Sequence, residues 1–281
     1  MSNPIFPCIW FDGNAKDAAE FYCGIFKVSS IKQTNTLLVI FELCGKQFMG
    51  LNGGPMFKVN PSISFFVKCS SIDETKEVWD KLMDGGSVLM QMDKYPWSER
   101  YGWLKDKFGV TWQILVHTDS GQKQSVCPSM LFTNDKFGKA EAAINFYTTV
   151  FRGSSIEEFI LYTIGDPNAG KVMFSRFSLN GYTMIAMDGR GEHAYTFNEG
   201  VSLMVNCDTQ DEIDYYWNKF IANSGQEYQC GWLKDKFGVS WQIVPSPLGR
   251  LITGPAAPDV IQAFMKMKKN IIADLENAAK G

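Results

Sequence analysis

Two histidines, His117 and His193, and seven cysteines are the side chains of this 281-residue chain best suited to metal binding or nucleophilic chemistry. They make a poor set for either. The cysteines are odd in number and contain no Cys-x-x-Cys pair, which fits reduced thiols in a cytoplasmic setting better than a disulfide framework. A thiol becomes a nucleophile when a neighbouring base or positive charge favours its thiolate. Neither Cys8 nor Cys230, which precedes Gly231 at the start of a hairpin, has a histidine near it in sequence. Glu99 and Arg100 read as a surface pair. The remaining candidates are neutral polar and aromatic residues in β-prone runs, and their chemistry is binding by burial and hydrogen bonding.

Strand parity selects them, because alternate side chains face opposite ways. In 110–116 the set Val110, Trp112, Ile114 and Val116 is apolar and belongs under helices, so Gln113 faces the other way. The same reasoning assigns Ile9, Phe11, Met49, Leu51, Ile63, Phe65 and Val67 to the helix side. Cys8, Trp10, Phe48, Gly50, Asn52, Ser62, Ser64 and Phe66 then share the opposite face with Gln113. In the second half of the chain that face collects Ser129, Leu131, Met184, Ala186, Asp188, Gly200, Ser202, Met204, Ser240 and Gln242, with Cys230 beside it. Such a mixed face either lines a ligand cavity on a curved sheet or packs as an interface between two halves.

The halves are repeats. Gly102–Ile114 (GWLKDKFGVTWQI) recurs as Gly231–Ile243, and only Thr111 against Ser240 differs. Phe21-Tyr22 matches Phe146-Tyr147, Ser29-Ser30-Ile31 matches Ser154-Ser155-Ile156, and Pro7 with Phe11 matches Pro128 with Phe132, all in the same order. The polar stretch 118–125 reads as a linker, which places the domains at 4–117 and 126–246, with a helical tail over 255–281. Within each half, 3.6-period apolar patterns predict a first helix, capped by Asn14 in repeat one and running from Ala140 in repeat two. Second helices follow the capping sequence Ser71-Ile72-Asp73-Glu74 and its counterpart Thr209-Gln210-Asp211-Glu212. Short aromatic and β-branched runs supply the strands, so each half contains two strand-helix-strand units with further strands. Asp106-Lys107-Phe108-Gly109 reads as a hairpin turn with glycine at positive φ. Trp103 and Trp232 just before it either line a cup mouth or pack. Repeat one is longer at Asp93–Tyr101, an aromatic, charged insertion suited to a lid or a domain contact.

Composition sets outer bounds. Residues are 45% hydrophobic and 20% charged, enough to build cores and too apolar for a disordered chain. The 27 basic and 30 acidic residues leave a net charge of −3 with no basic run, which argues against nucleic acid. No apolar stretch approaches the ~18 residues of a membrane helix, and the start of the chain does not read as a secretory leader.

Pro7–Tyr22, Asn52-Gly53-Gly54, Tyr95–Glu99, both Gly-Trp-Leu-Lys-Asp-Lys-Phe-Gly-Val segments and the tail Met265–Ala273 together resemble the PhnB-like branch of the vicinal oxygen chelate superfamily, the glyoxalase and bleomycin-resistance fold. The resemblance implies an α+β chain of two tandem glyoxalase-like domains. Each would be a pair of βαβββ modules, and the two would form an intrachain pseudo-dimer of eight-stranded, cup-shaped mixed sheets. Further pairing of two chains is left open. Metal-dependent members of the superfamily place His, Glu, His and Glu on four strands. Carried over, those positions fall near Cys8, Gly50, Ser62 and Gln113 in repeat one and near Ser129, Ala186, Gly200 and Gln242 in repeat two, with Pro7 or Pro128 as alternatives on the first strand. That set lacks the ligands of the usual site, so no metal and no cofactor are expected. The methyltransferase name often attached to the family finds no support in a Gly-x-Gly-x-x-Gly loop, because Gly189-Arg190-Gly191 reads as a plain turn. The expectation is a small-molecule-binding protein, with an isomerase, lyase or ring-opening enzyme using a displaced metal, Cys8 or Cys230 as the alternative. A structural module follows instead if side chains such as Trp10, Phe48, Phe66 and Met204 fill the cup.

Overall fold

The computed structural model describes residues 5–117 and 123–280; positions 118–122 of the expected linker lie outside the described residues, as does the expected domain start at Pro4. Four βαβββ modules follow one another, as the sequence predicts. The first holds β1 (Ile5–Phe11), α1 (Ala15–Cys23), β2 (Ser30–Thr34), β3 (Leu38–Leu43) and β4 (Lys46–Asn52). The second holds β5 (Ile63–Cys69), α2 (Ile72–Leu82), β6 (Ser87–Tyr95), β7 (Ser98–Lys105) and β8 (Thr111–Val116). The third holds β9 (Ser125–Phe132), α3 (Ala140–Val150), β10 (Ser155–Leu161), β11 (Val172–Leu179) and β12 (Tyr182–Asp188). The fourth holds β13 (Val201–Cys207), α4 (Gln210–Ile221), β14 (Gln226–Glu227), β15 (Trp232–Lys234) and β16 (Ser240–Pro245). Three helices end the chain: α5 (Leu248–Leu251), α6 (Ala257–Lys266) and α7 (Ile272–Ala278). None of the described helices is long and apolar enough to cross a membrane.

The chain divides into two compact units, and the division does not follow the repeat boundary. The larger unit is Pro7–Val201; the smaller runs from Ser202 onward and includes Ile5 and Phe6. In the larger unit, β5–β12 make one eight-stranded mixed sheet in the order β10-β11-β12-β9-β5-β8-β7-β6. Its centre is the antiparallel pair β5·β9, in register from Ile63 opposite Met130 to Lys68 opposite Ser125. Half of this sheet therefore comes from each sequence repeat. The concave surface is built by the second module of repeat one and the first module of repeat two, rather than by one repeat alone. Ser125 is already in β9, and Gln124 is buried, accepting from Lys27 N at 2.8 Å, so the end of the expected linker is built into the fold.

Strands β1, β4, β3 and β2 lie side by side in the same unit. An aromatic core joins them to the large sheet. Tyr22 on α1 packs on Trp112 with ring centres 5.0 Å apart, Trp112 on Phe65 at 5.2 Å, Phe65 on Phe48 at 5.2 Å, and Phe48 stacks on Phe41 at 5.5 Å. All five are buried. Each such ring contributes ~1.5–3 kcal/mol on burial, and the tilted and edge-on geometries suit the ring quadrupoles.

In the smaller unit the strand order is β14-β15-β16-β13. Phe220 on α4 stacks on Trp241 at 4.4 Å, and Asn270, just before α7, donates to Ile243 O at 2.8 Å, tying the C-terminal segment to this unit.

The helix starts correct one expectation. Asn14 makes no side-chain cap to α1; Asn52 Oδ1, from the end of β4, accepts from Ala15 N at 2.9 Å instead. Ser71 and Thr209 do cap α2 and α4, and Thr209 with Glu212 forms the complete reciprocal box.

Candidate functional site

The repeated segment explains why its residues are the same twice. Asp106 Oδ1 accepts from Phe108 N and Val110 N at 2.8 and 3.0 Å, closing the turn, while Gly109 takes φ +87°. Its Oδ2 accepts from Tyr22 Oη and Trp112 Nε1, both at 2.8 Å. Asp235 repeats the pattern with Phe237 N, Val239 N and Trp241 Nε1, and Gly238 has φ +89°. The turn thus positions the tryptophan on the core side and, one residue later, the glutamine on the concave side. Burial raises the Asp106 carboxyl from its ordinary 3.8 to about 6, against the pull of four hydrogen bonds in the other direction.

Gln113 is the centre of the concave floor of the large sheet. Its Nε2 donates to Ser64 Oγ at 2.8 Å and lies 3.4 Å from Ser129 Oγ, and its Oε1 accepts from Tyr101 Oη at 2.8 Å. Ser64 and Ser129 are fully buried and sit opposite each other on β5 and β9. The expected pair Ser64 and Gln113 is therefore brought together, and Ser129 joins it from the other repeat. Gln242 Nε2 donates to Ser202 Oγ at 2.8 Å in the smaller unit, the same arrangement without a tyrosine.

Above this floor lies a cavity of about 710 Å³. Phe66, Tyr101 and Gln113 form its base, with Leu115, Phe174 and Met187 beside them. Trp97 stands at the rim, 58% exposed, stacked on Tyr95 at 5.0 Å and edge-on to Tyr101 at 5.6 Å. The insertion of repeat one makes the expected contact with the other repeat, Tyr95 and Tyr101 packing in one apolar cluster with Cys127, Phe174, Ile185 and Met187. It lengthens β6 and β7 into a hairpin that carries Trp97 and Tyr101 to the cavity, whereas β14 and β15 are short. His117, Lys68, Arg176 and Arg190 also line the cavity, and Glu158 faces them. Arg190 pairs with Asp166 at 2.8 Å and lies 3.9 Å over the Tyr162 ring. Sequence reasoning missed Tyr101, Trp97, Phe174, Met187 and Arg176 as site residues. The hairpin insertion was the signal for the first two.

Several expected site residues lie elsewhere. In β4 the parity is the reverse of that expected. Ile9 pairs with Gly50 and Phe11 with Asn52, and laterally paired residues share a face, so Phe48, Gly50 and Asn52 face the helix side. A Cβ on Gly50 would come within 3.1 Å of Ala15 Cβ and 2.9 Å of Val39, so glycine lets α1 approach. Phe48 is core, and Asn52 caps α1. In β12 the same reversal puts Met184, Ala186 and Asp188 on the helix side, leaving Ile185 and Met187 concave. Asp188 is buried and accepts from Gly138 N at 2.7 Å, Ala140 N at 3.3 Å and Val172 N at 2.9 Å, so it holds the start of α3 as Asn52 holds α1. Trp10 donates from Nε1 to Gly54 O at 2.7 Å and packs edge-on to Phe57 at 5.0 Å, away from the large cavity. Cys8 and Ser62 are buried; the Ser62 carbonyl accepts from Leu131 N at 2.8 Å. Gly200 packs on the Lys58–Val59 backbone. Cys230 has φ +62°, its N donates to Met267 O at 2.7 Å, and burial pushes its thiol up, away from the thiolate. His193 is engaged at both ring nitrogens, with Tyr195 Oη at 3.0 Å and Arg190 O at 2.9 Å.

The floor fits a divalent ion poorly. Its donor set is neutral and already satisfied internally, with the glutamine amide nitrogen turned toward both serines and its oxygen taken by Tyr101. Among the described residues, no three His, Cys, Asp or Glu side chains gather as they would to hold a metal.

Comparison with known proteins places this geometry. The sequence model of the family described as 3-demethylubiquinone-9 3-methyltransferase matches residues 3–115 and again 124–244. No curated protein matches. Among solved structures, a putative 3-demethylubiquinone-9 3-methyltransferase, PhnB protein, from Bacillus cereus is 31% identical, with 39% of this chain covering 96% of that one at a TM-score of 0.37. Glyoxalase I from Zea mays is 8% identical, with coverage of 85% and 91% and a TM-score of 0.57, a likeness of fold alone. A putative dioxygenase from Bacillus subtilis is 12% identical, with coverage of 97% and 94% and a TM-score of 0.49.

Proposed function

For a chain that belongs to the PhnB-like family of the vicinal oxygen chelate superfamily, we propose a metal-independent small-molecule-binding function, seated in the cavity over Gln113. The observation that carries this reading is the cavity itself: about 710 Å³, with an apolar aromatic base and one convergent hydrogen-bonding group, the Tyr101–Gln113–Ser64 chain. That volume is in the range of sites for drug-sized ligands, where apolar lining supplies affinity and a few polar groups fix orientation. The hydroxyl of Tyr101 is the member of that chain nearest the rim aromatics; burial raises its pKa, so it stays neutral, donates to Gln113 and offers a ligand its oxygen as an acceptor.

The enzymatic alternative gains nothing from the cysteines. Cys8 is buried, and Cys230 and Cys127 have thiols raised by burial, the latter to about 12. The methyl transfer in the family's description finds no nucleotide-cradling glycine loop in this chain.

Native mass spectrometry of the purified full-length protein, compared with a Gln113→Leu variant, tests the reading. A retained organic molecule in the parent and its loss in the variant support it. A retained molecule unaffected by Gln113→Leu and by a second change, Phe66→Ala, places the ligand elsewhere and overturns it.

A further inference from the structure

Charge around the cavity narrows the class of molecule. Lys68 on β5 and Arg176 on β11 line both the large cavity and a second chamber of about 190 Å³ beside it. They reach the concave surface from strands on either side of β9 and β12. Arg176 has Glu157 at 3.1 Å and Glu158 at 3.8 Å. Lys68 is half-buried and has no salt-bridge partner among the described residues. Burial lowers its pKa, and the charge of Arg176 lowers it further. The smaller chamber adds Lys46, whose amine lies 5.7 Å from the Tyr182 ring, and the buried Tyr182 hydroxyl, which has no hydrogen-bond partner. Three cations thus line this chamber with one carboxylate, Glu157, next to an unsatisfied donor. A half-desolvated ammonium that Glu158 and Glu157 reach only at longer range, with no contact ion pair, is costly, and so is a buried hydroxyl without an acceptor; one anionic oxygen group relieves both.

We propose that the ligand of the cup is an organic anion, whose carboxylate or phosphate sits at the Lys68–Arg176 pair while its flat apolar body lies on Phe66, Phe174 and Tyr101. This rests on the cup being the binding site. It adds that the site reads charge at one end and ring area at the other. Tyr182 and Lys46 give the headgroup a second set of donors, and their chamber is large enough for a small oxyanion.

Calorimetric titration of the full-length protein with 2-naphthoate, 2-naphthyl phosphate and neutral 2-naphthamide tests it. At least one anion is expected to bind ~tenfold or more tightly than the amide, and whichever anion binds more tightly assigns the headgroup as carboxylate or phosphate. Lys68→Met should reduce that preference to within ~threefold while leaving naphthamide affinity in place, and Lys68→Arg should restore it. Equal binding of all three ligands overturns the anion assignment and leaves the cup as a site for neutral molecules. An anion preference that survives both Lys68→Met and Arg176→Met also overturns it. Binding of none of the three, together with a native mass spectrum free of retained molecules, removes the cup reading as well.

Discussion

Replacing Asp106 by asparagine should change the pH dependence of stability more than it changes stability at neutral pH. The folded carboxyl titrates at about 6 against an ordinary 3.8, so between those values the folded state keeps a proton that the unfolded chain has released. Stability from this group is therefore present at low pH and lost as pH rises through about 4 to 6. At ~1.36 kcal/mol per unit, the shift corresponds to roughly 3 kcal/mol. Asparagine abolishes that cost. Its Oδ1 keeps the two backbone bonds of the turn, and the Tyr22 hydroxyl can rotate to accept from the new amide. The Trp112 indole N–H, previously bonded at 2.8 Å, then meets a donor, which costs ~1–3 kcal/mol for a buried group. The variant should thus be weaker than the parent by ~1–3 kcal/mol at pH 4 and equal or slightly stronger at pH 7. Urea unfolding at pH 4, 5, 6 and 7 measures the difference directly, and contributions from every other titrating group cancel in it. A difference between the two proteins that stays flat across this range would refute the reasoning, because it would mean that the folded carboxyl titrates where the unfolded one does.

Elemental analysis of the purified protein should show zinc, nickel, manganese and iron well below one equivalent; a near-stoichiometric metal lost in Gln113→Ala would contradict the neutral floor. Trp97→Ala should weaken binding of a flat aromatic probe by ~tenfold, on the scale of ~1.4 kcal/mol per decade, while Trp10→Ala leaves it within ~twofold; the reverse order, read by calorimetry, would move the site to the first module. Cleavage near Gly121 should leave the two fragments together on a sizing column, because β5 and β9 pair across the cut from Ile63 to Lys68; separately eluting folded fragments would contradict that pairing.

The modules, the hairpin turn and the core tryptophans were legible because each is a local pattern: a period, a glycine after Asp-Lys-Phe, an apolar alternation. Gln113, Ser64, Ser129 and Phe66 were placed on the concave face for the same reason. Asn52 and Asp188 were not read as caps, because the helices they serve begin 37 residues earlier in one case and 48 in the other, and sequence shows no such distance. Phe48 and Gly50 went to the wrong face because Met49 and Leu51 were taken to mark the helix side and the alternation carried their neighbours opposite. The small residues Gly50 and Ala186 are there because a helix comes close, a matter of packing across strands. The partner of Gln113 from the other repeat was hidden for a related reason. Strand order within a sheet is set by pairing between modules, and identical repeats do not say which copies meet.

The family model matches this chain twice, over residues 3–115 and again over 124–244, so one copy of it spans one repeat. In a protein of that length, a floor like that over Gln113 would need its second serine from another molecule, and every such floor would be a copy of every other. Joining two repeats in one chain removes that equivalence. Tyr101, Trp97 and Arg176 could arise over Gln113 without appearing over Gln242, and a chain of two repeats is free to specialise one floor while Gln242 keeps its plain serine contact.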